Sequence, residues 1–178
     1  PNNPIQNLAE IQVHTLDGKR LDWQRDPHDV FQFQIQIPEG IDKIQVETRY
    51  ICNQASTNSK GIDSHSSQST AVVNWNTCLL YPKGHSIYDI TVHPRLLLPD
   101  GWKTGSSLDI DSIEDNTVVF KPLSYRELVD SPLIMGKHYR KFDLTPENSP
   151  QHVLHLIAES HQRLDPEKEA IQKLTKLV

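Results

Sequence analysis

The stretch Val30-Phe31-Gln32-Phe33-Gln34-Ile35-Gln36-Ile37 decides the fold class. Aromatic and aliphatic side chains alternate with glutamines. Successive side chains on a strand point to opposite faces, so Phe31, Phe33, Ile35 and Ile37 share one face and the glutamines take the other. That pattern predicts an antiparallel strand with one wet face. Working outward, Pro38-Glu39-Gly40 turns the chain, and 43–51 alternates again through Ile44, Val46, Thr48 and Tyr50. Upstream, 8–15 reads as a strand, Asp17-Gly18 as a turn, and Leu21 and Trp23 as its resumption.

Downstream, 53–70 is rich in Ser, Asn, Gln and Thr and is expected to be an exposed, mobile loop, the best proteolysis site in the chain. Residues 71–81 read as a longer apolar strand carrying Trp75 and Cys78, broken by Pro82-Lys83-Gly84. Residues 87–98 read as another strand, interrupted or bulged at Pro94, which predicts an edge position. Short strands are expected near 108–110 and 117–121 around an acidic turn. Residues 124–130 read as a short helix: Ser124 and Glu127 have capping-box spacing, and Ser131-Pro132 stops it. Strands over 139–144 and 152–158 follow. Asp165-Pro166-Glu167 then predicts a helix start with Asp165 as N-cap, and Ala170, Ile171, Leu174, Leu177 and Val178 line one face of that helix.

Composition agrees with this β-rich reading. Seven Gly and twelve Pro in 178 residues, well spread, suit short strands joined by turns rather than a helical bundle. The formal charge is −5 with no basic run, which argues against a nucleic-acid partner. No stretch approaches the roughly 20 apolar residues of a membrane-spanning helix. Cys52 and Cys78 form no C-x-x-C pair; a disulfide and two free thiols both stay open. The chain opens Pro-Asn-Asn-Pro without a methionine, and its last helix runs out on Leu177-Val178 without a cap or glycine. Both features are expected of a piece of a longer protein.

Little here points to chemistry. His152 and His155 are three apart, and on a strand such positions face opposite ways, so one inward and one outward imidazole is expected rather than a zinc site. The zincin pattern needs two His four apart with a Glu between them, and no H-E-x-x-H occurs. There is no G-x-S-x-G elbow and no phosphate loop. Asp109, Asp111, Glu114 and Asp115 lack calcium-loop spacing and read as a solvated hairpin turn. Trp23, Trp75 and Trp102 are expected to fill core.

Three stretches then carry a family resemblance. The first is Asn74-Trp75-Asn76 with Leu79-Leu80-Tyr81-Pro82-Lys83-Gly84. The second runs from Leu96 through Pro99-Asp100-Gly101-Trp102 to Gly105. The third is Val119-Phe120-Lys121-Pro122-Leu123-Ser124-Tyr125-Arg126-Glu127-Leu128-Val129-Asp130-Ser131-Pro132, continuing to Gly136. In this order, and with Gly18-Lys19-Arg20-Leu21-Asp22-Trp23 upstream, the chain resembles the amino-terminal domain of the glycyl aminopeptidase family of zinc metallopeptidases (peptidase family M sixty-one). The resemblance covers nearly the whole chain.

The resemblance implies a mainly β, antiparallel β-sandwich-like domain over 1–160, lacking its first strands, with helices near 124–130 and 165–178. Residues 161–178 would begin the linker and first helix of an absent thermolysin-like catalytic domain, often followed by a PDZ domain. No cofactor is expected in this chain, and zinc is expected in the absent domain. The chain is therefore expected to be non-catalytic, while its parent hydrolyses peptides with small amino-terminal residues such as Gly. The parent's cellular address stays unknown, with the bacterial periplasm or secretion open to it. The expected partners are the absent domains. Their contacts with this chain are placed at Leu128, Val129, Asp130, Ser131 and Pro132, and on the helix face of Ile171, Leu174 and Leu177. An exposed helix face of that kind also leaves a homodimer open. The alternative reading is a stand-alone β-sandwich module binding a peptide or glycan, which an exposed strip of Trp102 with Tyr81 or Tyr88 would favour.

Overall fold

The computed structural model describes residues 5–52 and 64–178. It is mainly β, and every strand pair is antiparallel. The chain falls into two compact units, Pro1–Cys52 and Asn53–Val178. The boundary drawn from sequence lay at 160 instead.

The first unit contains β1 (Leu8–Thr15), β2 (Trp23–Arg25), β3 (Phe33–Ile35) and β4 (Ile44–Tyr50). β1 pairs with β4 and β2 with β3. Along β1 the buried positions change parity, from Leu8 to Ile11, Val13 and Thr15. One extra residue in a strand has this effect, because a one-residue slip turns every later side chain to the other face. The extra residue lies between Ala9 and Gln12, where the register with β4 shifts and Glu10 takes φ of 48°. Leu8, Ile11, Val13 and Leu21 form the core, joined by Trp23, Phe33, Ile35, Ile44, Val46 and Tyr50. The indole N–H of Trp23 donates to the Ile11 carbonyl at 2.9 Å, and its ring meets Phe33 edge-on.

The strand expected over 30–37 is only three residues long, Phe33–Ile35. Two carboxylates shorten it. Asp26 accepts from the N–H groups of His28 and Asp29, and Asp29 accepts from Phe31 N–H, pulling 26–32 into turns. The alternation survives at Phe33 and Ile35, while Phe31 and Ile37 are exposed.

The second unit begins with β5 (His65–Ser66), β6 (Thr70–Val73), β7 (Thr91–Val92) and β8 (Arg95–Leu97). It continues through β9 (Lys103–Gly105), β10 (Ile110–Glu114), β11 (Thr117–Phe120) and β12 (Leu123–Ser124). Then come α1 (Tyr125–Val129), β13 (Leu133–Gly136), β14 (His138–Asp143), β15 (Val153–Ala158) and α2 (Lys168–Thr175). A four-stranded sheet runs β5-β6-β13-β9 and a three-stranded sheet β10-β11-β8. β7 pairs with β12 and β14 with β15. The core is Leu98, Val118, Phe120, Leu133 and Met135, with Trp75 and Trp102 packed against it.

Several expectations change here. The strand over 71–81 ends at Val73, because a 3-10 turn, Trp75–Thr77, follows Asn74. Ser64 sets this corner: its hydroxyl accepts from Asn74 N–H at 2.9 Å and meets the Thr77 hydroxyl at 2.8 Å. Of the loop expected over 53–70, residues 53–63 lie outside the described residues. The rest is not a free loop, since Ser64 is buried and His65–Ser66 pairs with β6. Pro94 separates β7 from β8, and β8 is an edge strand as proline requires. The acidic residues flank a tight β10–β11 hairpin turned at Asp115.

Candidate interdomain surface

Helix α1 has only five residues, too few to stand without end groups. The sequence supplies them. Ser124 Oγ accepts from Glu127 N–H, and the Glu127 carboxylate accepts from Ser124 N–H at 3.0 Å, a complete capping box. The Ser124 backbone N–H, then its hydroxyl, hold Glu127 below the usual carboxylate range. At the other end Ser131 Oγ donates to the Glu127 carbonyl at 2.8 Å, and Arg126 pairs with Asp130. Ser106 Oγ then donates to the Pro132 carbonyl at 3.1 Å.

This bracing sorts the five expected contact residues. Leu128 points inward and is 2% exposed, in keeping with a core-filling role. Asp130 and Pro132 are exposed, and Val129 and Ser131 are half-buried. Beside them lies a shallow depression of about 410 Å³ whose wall includes Asp109, Lys121, Glu127 and Ser131. Lys121 reaches Asp109 at 3.4 Å across it. On the inward side Tyr125 packs on Tyr81, ring centroids 5.3 Å apart, and burial above all pushes its hydroxyl up to about 12.

Helix α2 starts later than the sequence predicts. Its N-cap is Glu167 rather than Asp165, because Asp165 Oδ1 accepts from Arg140 Nη1 at 2.6 Å and is held away from the helix end. No residue of α2 is buried. Ile171 is half-buried, and Leu174, Leu177 and Val178 are exposed, Leu177 at 81%. The helix ends at Thr175, so of the expected face only Ala170, Ile171 and Leu174 lie on it, and Leu177 and Val178 follow beyond its end.

His152 and His155 do not converge on a shared site. His152 Nδ1 donates to the Pro150 carbonyl at 2.7 Å, while His155 shares a 2.6 Å hydrogen bond with Tyr139 Oη. Burial, then the Lys141 charge, lowers the His155 pKa. Among the described residues no group of three or more His, Cys, Asp or Glu is placed to hold a metal. Cys52 and Cys78 are half-buried thiols that form no disulfide with each other, and Cys78 Sγ donates to the Trp75 carbonyl at 3.6 Å.

One tether was not legible beforehand. The Glu159 carboxylate accepts from the hydroxyls of Ser69 and Thr70, about ninety residues away in sequence. These bonds, the Ser69 hydroxyl first, lower its pKa. They tie the end of β15 to the β5–β6 hairpin, and no spacing rule could have paired the residues.

Comparison with known proteins adds two findings. The family profile of the Peptidase M61 N-terminal domain matches residues 1–137. An aminopeptidase N family protein from Idiomarina loihiensis has a similar fold, with TM-score 0.75 at 14% identity over 97% of this chain. The match spans 27% of that protein's chain. No curated protein matches.

Proposed function

Because the chain belongs to the peptidase M61 N-terminal domain family, we propose that it is a non-catalytic domain that packs against a thermolysin-like zinc domain and walls one side of its substrate cleft. The zinc, and any PDZ domain, would belong to the remainder of the parent. The parent would be an aminopeptidase acting on small amino-terminal residues such as glycine. One observation carries this reading: the apolar side chains of Ile171 and Leu174 on α2, and of Leu177 just beyond its end at Thr175, are not buried. Exposed apolar patches are usually covered by a partner. Asp130 and Pro132 would lie at the exposed rim of a second contact.

The test uses the full-length protein and its Leu174→Ser/Leu177→Ser variant. The expected result is a roughly tenfold loss in kcat/KM on a glycyl fluorogenic substrate, about 1.4 kcal/mol. The same substitutions in the present chain should change its own stability by less than about 0.5 kcal/mol, since nothing of its core is touched. A parent reading frame without H-E-x-x-H, or hydrolysis by the present chain alone, would sink the proposal. A dimer of the present chain that the double variant dissolves would assign the face to a second copy instead.

A second reading, a peptide- or glycan-binding module, draws on Tyr81 and Tyr88, which are 55% and 69% exposed. Trp102, however, packs into the core and does not join them in an aromatic strip.

A further inference from the structure

Strand β14 carries His138, Arg140 and Phe142 on one face by strand periodicity. The 3-10 turn His161–Leu164 packs against this strand at two anchored points. Leu164 is 2% exposed, and Arg140 Nη1 donates to the Leu164 carbonyl and to Asp165. The anchors leave His161 standing across from His138, ring centroids 6.3 Å apart with planes inclined at 33°. Neither imidazole has a hydrogen-bond or ion-pair partner among the described residues. His161 is exposed and His138 half-buried, so solvent reaches the pair.

We propose that His138 and His161 form a two-imidazole clip for a late first-row divalent cation such as Ni²⁺ or Cu²⁺. Imidazole suits these ions, and they accept tetragonal geometry with nitrogens on opposite sides. Metal–nitrogen bonds of about 2.0 Å to ring nitrogens turned toward a shared ion would put the ring centres roughly 6 Å apart, and the centroids lie 6.3 Å apart. The nearby cations are offset: Arg140 pairs with Asp165, and the Arg163 charge acts on Glu159. Among the described residues no third His, Cys, Asp or Glu joins the pair. Water completes the coordination, and with two protein ligands binding is correspondingly modest. A bound ion would staple the 3-10 turn to β14 and so fix the chain just before α2.

The experiment is a calorimetric titration of the intact chain with NiCl₂ at pH 7.5, repeated for His138→Gln, His161→Gln and His85→Gln. His85 is exposed and remote from the pair in sequence. One site is expected in the parent chain and in His85→Gln, weakened about tenfold or more in each of the other two. A nickel-dependent rise in melting temperature should disappear in the same two variants. Unchanged binding in His161→Gln, an exposed substitution that leaves the core intact, would overturn the proposal. So would the absence of a site in the parent chain.

Discussion

At Gly105 an added Cβ would lie 2.4 Å from the His155 ring, inside contact distance. The nearest atoms are the Cγ, Nδ1 and Cβ of His155, so the ring cannot simply swing its far end aside. Gly105→Ala is therefore expected to destabilise the second unit by about 1–3 kcal/mol, read from the urea midpoint. His155 itself makes a pH prediction. Its unfolded pKa is near 6.5, and burial, then Lys141, lowers the native value. Between the two values the unfolded chain binds a proton that the native one refuses. Stability is thus full above pH 6.5 and falls as the pH drops toward the native pKa. His155→Gln should flatten the loss of stability that sets in as the pH falls below about 6.5, and an unchanged slope would remove His155 as its source.

Among the elements, α1 depends most visibly on two side chains. Ser124→Ala removes the cap for the Glu127 N–H and should cost about 1 kcal/mol in chemical denaturation. Glu127 is held low by Ser124, so the box is complete above the carboxylate range and is lost as the pH falls through the native pKa of Glu127. This helix was legible beforehand because capping is local: both partners lie within one turn. Helix α2 was legible in its apolar face but not in its start. The side chain expected to cap it is taken by Arg140, and that partner comes from β14. The strand over 30–37 failed for a related reason. Its alternation is genuine, but Asp26 and Asp29 offer nearby N–H groups a turn at no cost in chain closure. Only Phe33 and Ile35 find a core to face.

At the scale of the whole molecule, the described residues form two core clusters that share no residue, one built on β1 and β4 and the other on β11 and β13. Val13, fully buried in the first, should on substitution by Ala reduce hydrogen-exchange protection of β1 and β4 amides, at a cost of about 1–3 kcal/mol. The amides of Phe120 and Met135 should keep theirs. Equal loss in both units would show that they unfold as one. The division at Cys52 was not foreseen, because the polar run that follows it reads as a surface loop in either arrangement.

By itself the sequence determined the strand periodicity, the edge position at Pro94, the capping box and the apolar Ile171–Leu174 pair of α2. Each is written in residues a few positions apart, and short-range sterics and hydrogen bonding decide them. The motif order from Asn74 to Gly136 also carried the family. Tertiary structure alone decided what joins residues far apart in the chain: Glu159 with Ser69 and Thr70, His155 over Gly105, Arg140 on Asp165, and His138 opposite His161. A polar side chain can bond to any suitable group that folding brings near. Which group arrives depends on strand order and register, and no local pattern encodes those.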